Sequence, residues 1–345
     1  MGSIYKDYFN TAKIREHYNY TKGGSADPSS PSSSSSSSLT QTFISTLIIL
    51  VCCLIVLENL LVLVSICRNP RFHSAMFIFI ANLAFSDLLA GLAFMANILL
   101  SGSATFHLTP LQWFIREGTA FATLAASVFS LLAIAIERHV AISKPKPYGG
   151  SWGWRLVILI GACWLVAGAV AGLPIMGWNC ISDIRDCSVL LPLYSKNYIL
   201  FSVVMFSIIL LGIIGLYARI YCIVRSSHAD TAASQTLALL QTLTMVLGAF
   251  IVCWLPAFII LLLDAACPVR SCRLLYGANY CFAFATLNSA ANPVIYTLRS
   301  KDMRRDMRRL LCCCCLGGNG ARGTHSIYGA RGRRVQRDPH CTTQL

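Results

Sequence analysis

Apolar and polar positions are segregated into long blocks along this chain of 345 residues. Seven blocks stay apolar over the roughly 20 residues that a helix needs to cross a bilayer, and short polar connections separate them. Because a backbone embedded in lipid must satisfy its hydrogen bonds internally, the pattern predicts an all-α membrane protein, a bundle of seven transmembrane helices. The predicted spans are 42–67, 75–100, 112–142, 154–176, 193–224, 234–264 and 274–298.

Polar segments flank this predicted membrane domain, residues 42–298. Residues 1–41 contain a proline-serine run and cannot bury enough apolar surface to fold alone, so we predict an N-terminal segment with a Ser-rich linker. Within residues 299–311, apolar side chains share one helical stripe and basic side chains occupy the rest, which predicts a short amphipathic helix on the membrane surface. Residues 312–345 are predicted to form a tail.

The third span carries charged residues at both ends and almost none between them. Arg116 and Arg138 are 22 positions apart, which corresponds to about 33 Å along a helix, close to the thickness of the hydrocarbon layer. This helix therefore presents a charged group to each water interface.

Composition narrows the class of protein. Only 12% of the residues are charged and 56% are hydrophobic, whereas a soluble domain carries about 25% charged residues. The net charge of +14 is unevenly placed, since 19 of the 28 Lys and Arg residues fall on one side of the predicted bundle. That excess predicts a cytoplasmic C-terminus and an extracellular N-terminus in a multi-pass membrane protein. The basic charge thus reflects topology rather than nucleic-acid binding, and we find no nucleophile-base pair or metal motif typical of an enzyme.

Cysteines and one asparagine are candidate modification sites. Four of the 16 cysteines lie on the predicted outer side; three connectivities are open, and close spacing favours Cys180–Cys187 and Cys267–Cys272. Asn19 begins a glycosylation sequon on the same side. Contiguous cysteines after the amphipathic helix suit palmitoylation better than zinc, whose ligands need spacing. These are Cys312, Cys313, Cys314 and Cys315.

Polar residues inside the spans are candidates for function, because charge in the middle of a bilayer is costly. Asp87 is the clearest case, and four other polar residues are placed to meet it. They are Asn59, Ser127, Asn288 and Asn292. Two readings stay open: a site for a sodium ion or proton, and a hydrogen-bonded packing network without an ion. Separately, Pro256 is expected to kink the sixth span and Pro293 to break the seventh.

These features together resemble the rhodopsin-like G-protein-coupled receptors. The residues that carry the resemblance are Asn59 and the runs 83–87 (LAFSD), 137–139 (ERH), 253–256 (CWLP) and 292–296 (NPVIY). Within that family the chain is similar to the sphingosine 1-phosphate receptors. The runs 17–21 (HYNYT), 96–102 (ANILLSG), 113–118 (WFIREG) and 177–180 (GWNC) carry this second resemblance, and 137–142 and 225–230 resemble one branch of the group.

The resemblance implies a zwitterionic lysophospholipid ligand, sphingosine 1-phosphate. Arg116 offers a planar fork to its phosphate, and Glu117 offers a carboxylate to its ammonium. The implied headgroup set is completed by Tyr18, Lys22, Asn97 and Ser101. The implied pocket for the alkyl tail consists of Phe121, Leu124, Phe206, Trp254, Phe258 and Leu261.

The resemblance also implies signalling by an outward movement of the sixth helix at Pro256, which opens a cavity to heterotrimeric G proteins. The residues implied in activation and coupling are Glu137, Arg138, His139, Tyr217, Pro256, Asn292, Pro293 and Tyr296. Implied partners are the bilayer, G proteins including Rho-activating classes, arrestins and receptor kinases. The terminal Thr343-Gln344-Leu345 has the form of a PDZ-binding peptide. No cofactor is expected apart from the sodium ion.

Two departures from the family pattern lead to expectations. Trp113 stands where most rhodopsin-like receptors have a cysteine that ties the third helix to the second outer loop, so this helix is expected to lack a disulfide tether. Residues 234–237 contain no acid to hold Arg138, which leads us to expect appreciable basal activity. Two alternative functions fit the sequence less well. A lysophosphatidic acid receptor is disfavoured by Glu117, and a transporter or channel by the lack of repeated halves.

Overall fold

The computed structural model describes residues 6–22, 34–72, 74–143, 152–226, 231–268 and 272–316. For residues 22, 34–41, 143, 152, 226, 231–239, 273, 276 and 312–316 it describes the backbone alone. The named helices of these ranges are α1 (Ala12–Lys22), α2 (Ser34–Arg68), α3 (Ala75–Leu99), α4 (Pro110–Ser143), α5 (Trp152–Gly172), α6 (Lys196–Ser226), α7 (Thr231–Ala266), α8 (Ala278–Arg299) and α9 (Lys301–Leu316).

Helices α2 to α8 correspond to the seven predicted spans. Within the described residues, α2 to α7 are long and apolar enough to cross a membrane. Helix α8 has 22 residues, but buried polar side chains such as Asn288, Ser289 and Asn292 lower its hydropathy. It still packs against α2, α3 and α7, so it belongs to the same bundle.

Several boundaries differ from the predicted ones. Helix α2 begins at Ser34, so the second half of the predicted Ser-rich linker is helical; serine carries only a small penalty in a helix, below about 0.7 kcal/mol per residue. Helix α5 ends at Gly172 rather than at 176, because the chain turns back and the Trp178 amide donates to the Leu173 carbonyl at 3.0 Å. The seventh span begins later, after a short 3-10 helix, Arg273–Gly277.

The surface helix α9 is longer than predicted and is anchored to the bundle. It continues to Leu316, through the four contiguous cysteines. Met303 and Met307 are buried, and the Asn69 side chain donates a hydrogen bond to Asp306. These contacts fix α9 against the ends of α2 and α8.

Helix α4 is central in the bundle and packs against α3, α5 and α6. Lipid tails are as apolar as leucine, so close packing and interhelical hydrogen bonds, rather than water exclusion, hold such helices together. Asn82 of α3 is one such junction: it donates to Ser130 of α4 at 2.6 Å and accepts from the Trp164 indole of α5 at 2.9 Å. Helices α4 and α5 pack closely at Gly118, where a Cβ would make an ordinary contact with the Ala171 carbonyl oxygen at 3.4 Å.

Candidate ligand-binding site

Helix α1 packs onto one end of the bundle, which we call the lid end. Ile14 and His17 are fully buried there, although the composition of residues 1–41 predicted a segment unable to fold alone. His17 Nε2 donates to the Ser188 carbonyl at 2.8 Å, and the Tyr8 hydroxyl donates to the Ile175 carbonyl at 3.0 Å. Burial lowers the pKa of His17, an effect that the hydrogen bond to Ser188 partly offsets. The segment is ordered because it docks on the loop of residues 173–195.

That loop, which we call the long loop, is closed on itself and fastened to α7. The disulfide Cys180–Cys187 joins Cα atoms 5.4 Å apart, and the second disulfide, Cys267–Cys272, lies in the next loop. Both predicted pairings are therefore confirmed. Asp264 of α7 accepts a hydrogen bond from the Ser188 hydroxyl. It also accepts one from the Val189 amide at 2.9 Å.

The long loop is also tethered to α4. The Trp113 indole nitrogen donates to the Pro192 carbonyl at 2.7 Å, and the Phe114 ring packs edge-on against Tyr194 at 5.2 Å between centroids. Within the described residues the cysteines of the long loop are paired with each other, so no disulfide reaches α4. Trp113, which stands where the rhodopsin-like pattern has a cysteine, therefore holds the loop by a hydrogen bond.

Arg116 and Glu117 form an ion pair at the lid end of the bundle. Arg116 Nη2 lies 3.0 Å from Glu117 Oε1, and the two side chains are 9% and 20% exposed. The guanidinium also donates to the Leu100 carbonyl at 2.7 Å and lies 4.4 Å from the centre of the Trp113 ring. Helix α4 starts at this end, so the positive end of its dipole adds to the attraction for an anion. A positive and a negative group are thus held side by side near a water interface.

The other predicted headgroup residues surround this pair to different degrees. Tyr18 packs edge-on against Phe106 at 5.2 Å. Burial raises the pKa of Tyr18, with a smaller opposing effect from Arg116. Asn97 is half-buried and its Oδ1 has no hydrogen-bond partner among the described residues. The exposed Ser101 donates to the Ile98 carbonyl at 2.6 Å. Lys22 ends α1, and its side chain lies outside the described residues.

The aromatic residues predicted for the tail pocket form a packed cluster between α4, α6 and α7, which we call the aromatic cluster. Phe121 lies 5.5 Å from Phe206, which stacks on Phe258 at 6.4 Å. Phe258 in turn lies 6.0 Å from Trp254, next to Pro256 inside α7. The two leucines of the set pack nearby: Leu124 packs on the central core and Leu261 on the lid-end cluster, and Phe121 and Phe258 pack on both. The structure therefore places the four predicted aromatic residues in one chain of contacts, with the two leucines in the adjoining apolar clusters.

Two tyrosines of this region were not found by sequence reasoning. Tyr194 and Tyr198 lie 5.7 Å apart, and Tyr198 contacts Phe121 at 6.1 Å. The sequence signal was weak, because tyrosines near a helix start are common at any membrane interface.

Asp87 is buried in a polar cluster deep in the bundle. Its carboxylate accepts hydrogen bonds from Asn292 at 2.7 Å, from Ser289 at 3.0 Å and from Ser127 at 3.4 Å. Asn59 joins through the Ser289 carbonyl at 3.0 Å. Sequence reasoning missed Ser289, although it lies three residues before Asn292 and therefore on the same helix face.

The chemistry of this cluster fits a hard cation but does not require one. The carboxamide oxygens of Asn59, Asn288 and Asn292 are buried without a donor among the described residues. These oxygen atoms are the ligands that hard cations prefer, which supports an ion site. The hydrogen bonds to Asp87 form a network without any ion, which supports the packing reading. Both readings from the sequence remain predictions.

The opposite end of the bundle contains the residues predicted for coupling. Arg138 pairs with the adjacent Glu137, and it pairs with no other carboxylate among the described residues. The side chains of residues 234–237 lie outside those residues. The hydroxyls of Tyr217 and Tyr296, like His139 Nε2, are buried without a partner in the described part of the chain.

A contact between α8 and α7 closes this end. Arg299 Nη2 donates to Gln241 Oε1 at 2.7 Å, and Arg299 Nε donates to the Thr242 hydroxyl at 3.4 Å. This pair of hydrogen bonds, which we call the clasp, joins the ends of the sixth and seventh spans. It was not predicted, because Gln241 and Arg299 are 58 positions apart in the chain.

Comparison with known proteins identifies the class. A family model described as the 7 transmembrane receptor (rhodopsin family) matches residues 58–296. The chain belongs to this family of membrane-embedded receptors. Within the family it belongs to the sphingosine 1-phosphate receptor group, whose members are receptors rather than enzymes.

Relatives place the chain near one branch of that group. It is 60% identical over 311 residues to sphingosine 1-phosphate receptor 2 of Homo sapiens, covering 90% of this chain and 86% of that protein. It is 59% identical to the Rattus norvegicus receptor of the same name, with the same coverage. It is 50% identical over 271 residues to sphingosine 1-phosphate receptor 3 of Takifugu rubripes, covering 77% and 70% of the two chains. The chain is thus similar to the type 2 receptors.

Proposed function

We propose that this protein is a receptor for sphingosine 1-phosphate that transmits lipid binding to heterotrimeric G proteins. The observation that carries the proposal is the largely buried Arg116–Glu117 ion pair, which lies one helical turn before Phe121 of the aromatic cluster. The ligand is a zwitterion with a long alkyl chain, so its recognition needs one cation, one anion and a continuous apolar cavity. The names of the relatives, all sphingosine 1-phosphate receptors, support the same ligand.

The two charges divide the headgroup between them. The guanidinium of Arg116 binds the phosphate, and the carboxylate of Glu117 binds the ammonium. Adjacent helical residues point about 100° apart, so the two side chains can address separated groups of one molecule. In the described structure they pair with each other, so binding exchanges one internal ion pair for two pairs with the ligand.

The alkyl chain continues inward along Phe121, Phe206 and Phe258 to Trp254. Trp254 lies two residues before Pro256 in α7, where the helix lacks a backbone hydrogen bond and is easiest to bend. A ligand that presses differently on Trp254 in the two states shifts the equilibrium between them, which is all that a ligand can do. At the opposite end, movement of α7 exposes Arg138, Tyr217 and Tyr296 to a G-protein helix.

G-protein activation in membranes that contain this protein tests the proposal. Sphingosine 1-phosphate and lysophosphatidic acid are titrated side by side, and we expect the zwitterion to be at least tenfold more potent. Lysophosphatidic acid carries the phosphate but no ammonium, so greater potency of that lipid would assign the site to the alternative ligand. Lipid or ion flux in proteoliposomes, without nucleotide exchange, would instead support a transporter.

Further properties form part of this proposal. The N-terminus is extracellular and the C-terminus cytoplasmic in the plasma membrane, as the placement of basic residues suggests. Asn19 is exposed on α1 and is the proposed glycan acceptor. Palmitate on the cysteines of α9 adds a membrane anchor; the side chains of Cys312 to Cys315 lie outside the described residues.

Regulatory partners complete the proposal. They are G proteins including Rho-activating classes, arrestins, receptor kinases and a PDZ protein at residues 343–345, which lie outside the described residues. A sodium ion at Asp87 would draw its ligands from the oxygens of Ser127 and the nearby asparagines. Dependence of agonist affinity on sodium, lost in Asp87→Asn, tests the ion against the network alone.

A further inference from the structure

Tyr194 is a buried polar group that the proposed function has not yet used. It lies in the long loop two residues before α6, is 4% exposed, and its hydroxyl has no hydrogen-bond partner among the described residues. Buried hydroxyls are nearly always paired, because an unpaired one forfeits its hydrogen bonds to water. A hydroxyl left in this state next to a binding site indicates a partner that arrives or rearranges.

The backbone around Tyr194 is held firmly. The Ser188 amide donates to the Tyr194 carbonyl at 2.9 Å, and the Tyr194 amide donates to the Leu191 carbonyl at 3.2 Å. Leu193, just before it, has a φ of 64°, a left-handed conformation that a leucine adopts only when its surroundings impose it. The position of the tyrosine is therefore set by the fold rather than by a freely moving loop.

Ring packing places Tyr194 against the face of α4 that carries Glu117. Tyr194 packs on Phe114 at 5.2 Å, and its neighbour Tyr198 packs on Phe121 at 6.1 Å. Glu117 follows Phe114 by three residues and precedes Phe121 by four, so all three lie on one face of α4. Burial raises the pKa of Tyr194 well above its ordinary value, with the Glu117 carboxylate as the next contributor. The group is thus a neutral hydroxyl donor near a carboxylate.

We propose that Tyr194 positions Glu117 for the ligand ammonium by donating a hydrogen bond to its carboxylate when the lipid is bound. The inference rests on the proposed function. Without ligand, Glu117 Oε1 is held by Arg116 at 3.0 Å. The lipid phosphate draws the guanidinium away, which leaves the carboxylate without its donor. A carboxylate has about four acceptor sites, so it takes the ammonium and the Tyr194 hydroxyl together.

The test compares Tyr194→Phe with Tyr198→Phe. Both changes remove one hydroxyl and keep the ring, but the Tyr198 hydroxyl donates to the Val170 carbonyl at 3.1 Å and serves packing. Displacement of radiolabelled sphingosine 1-phosphate is measured with two unlabelled lipids, sphingosine 1-phosphate and the alkyl phosphate of equal chain length that lacks the amine. We expect Tyr194→Phe to weaken the ammonium lipid about tenfold and the amine-free lipid less than twofold. Tyr198→Phe should affect both lipids alike.

Equal losses for both lipids in Tyr194→Phe, or no loss for the ammonium lipid, would overturn the inference. A double-mutant cycle adds a second measurement. In a Glu117→Ala background the further change Tyr194→Phe is expected to alter sphingosine 1-phosphate affinity less than twofold, because the acceptor is gone; additive losses would again refute the role. Failure of the unaltered receptor to bind sphingosine 1-phosphate specifically would sink the proposed function itself, which separates the two results. Surface amounts are measured for every variant.

Discussion

Replacement of Glu117 by glutamine tests the division of the headgroup between two side chains. The substitution keeps the shape and removes the charge. In the unaltered protein the carboxylate is 20% exposed and bonded to Arg116, so it is positioned to receive an ammonium out of bulk water. Hydrogen bonds to charged groups contribute about 1.5–3 kcal/mol, whereas neutral ones contribute about 1 kcal/mol. The loss for a zwitterionic lipid is then roughly tenfold or somewhat more.

Lysophosphatidic acid is expected to respond differently. Its phosphate competes with Glu117 for the same guanidinium, which Glu117 contacts at 3.0 Å. Glutamine competes less strongly, so the potency of lysophosphatidic acid should hold or rise. The assay is G-protein nucleotide exchange with both lipids, at matched surface amounts of receptor.

Glu16→Gln provides a matched control. Glu16 lies on α1 at the same end of the bundle and pairs with Lys13 at 3.3 Å, with its own side chain 55% exposed. Removal of this charge should leave both lipids within about twofold, since exposed ion pairs contribute little. An equal loss for both lipids in Glu117→Gln would refute the assigned role of the carboxylate.

Three further predictions concern other parts of the molecule. Gln241→Leu, which breaks the clasp to Arg299, should raise basal nucleotide exchange about two- to fivefold, and Gln241→Glu should lower it; the same basal signal in both variants would exclude the clasp as a restraint on α7. Burial lowers the pKa of His17, so docking of α1 should be intact above about pH 6.5, the ordinary pKa of histidine, and should weaken as the pH falls below it. Hydrogen exchange of α1 should accelerate at the lower pH, and His17→Phe should abolish this pH dependence. Trp113→Phe loses the hydrogen bond to Pro192 and should lower the free energy of unfolding by about 1 kcal/mol, measured as a lower Tm; an unchanged Tm would show that ring packing alone holds the long loop.

Features that depend on neighbouring residues could be read from the sequence. The spans follow from blocks of apolar residues, and each disulfide joins cysteines seven or five positions apart. The Asp87 cluster could be anticipated because charge deep in a bilayer needs partners, and few polar residues were available.

Features that join distant residues could not be read in this way. His17 and Ser188 are separated by 171 positions, so nothing local indicates that α1 docks on the long loop. The orphan hydroxyl of Tyr194 is likewise invisible until Phe114 and the loop are placed together. Composition correctly indicates that the N-terminal segment cannot bury much apolar surface by itself. It does not indicate that α1 can bury side chains against the long loop.

The hydrogen bond from Trp113 to Pro192 has a consequence for how the binding site opens. Among the described residues, each disulfide closes a ring within its own loop. The long loop is therefore attached to α4 by reversible contacts alone. Parting such a contact takes about 1 kcal/mol for each hydrogen bond, far below the energy of a covalent bond. Within the described residues, opening of the contact between the long loop and α4 therefore breaks no covalent bond and requires no change in the redox state of either disulfide.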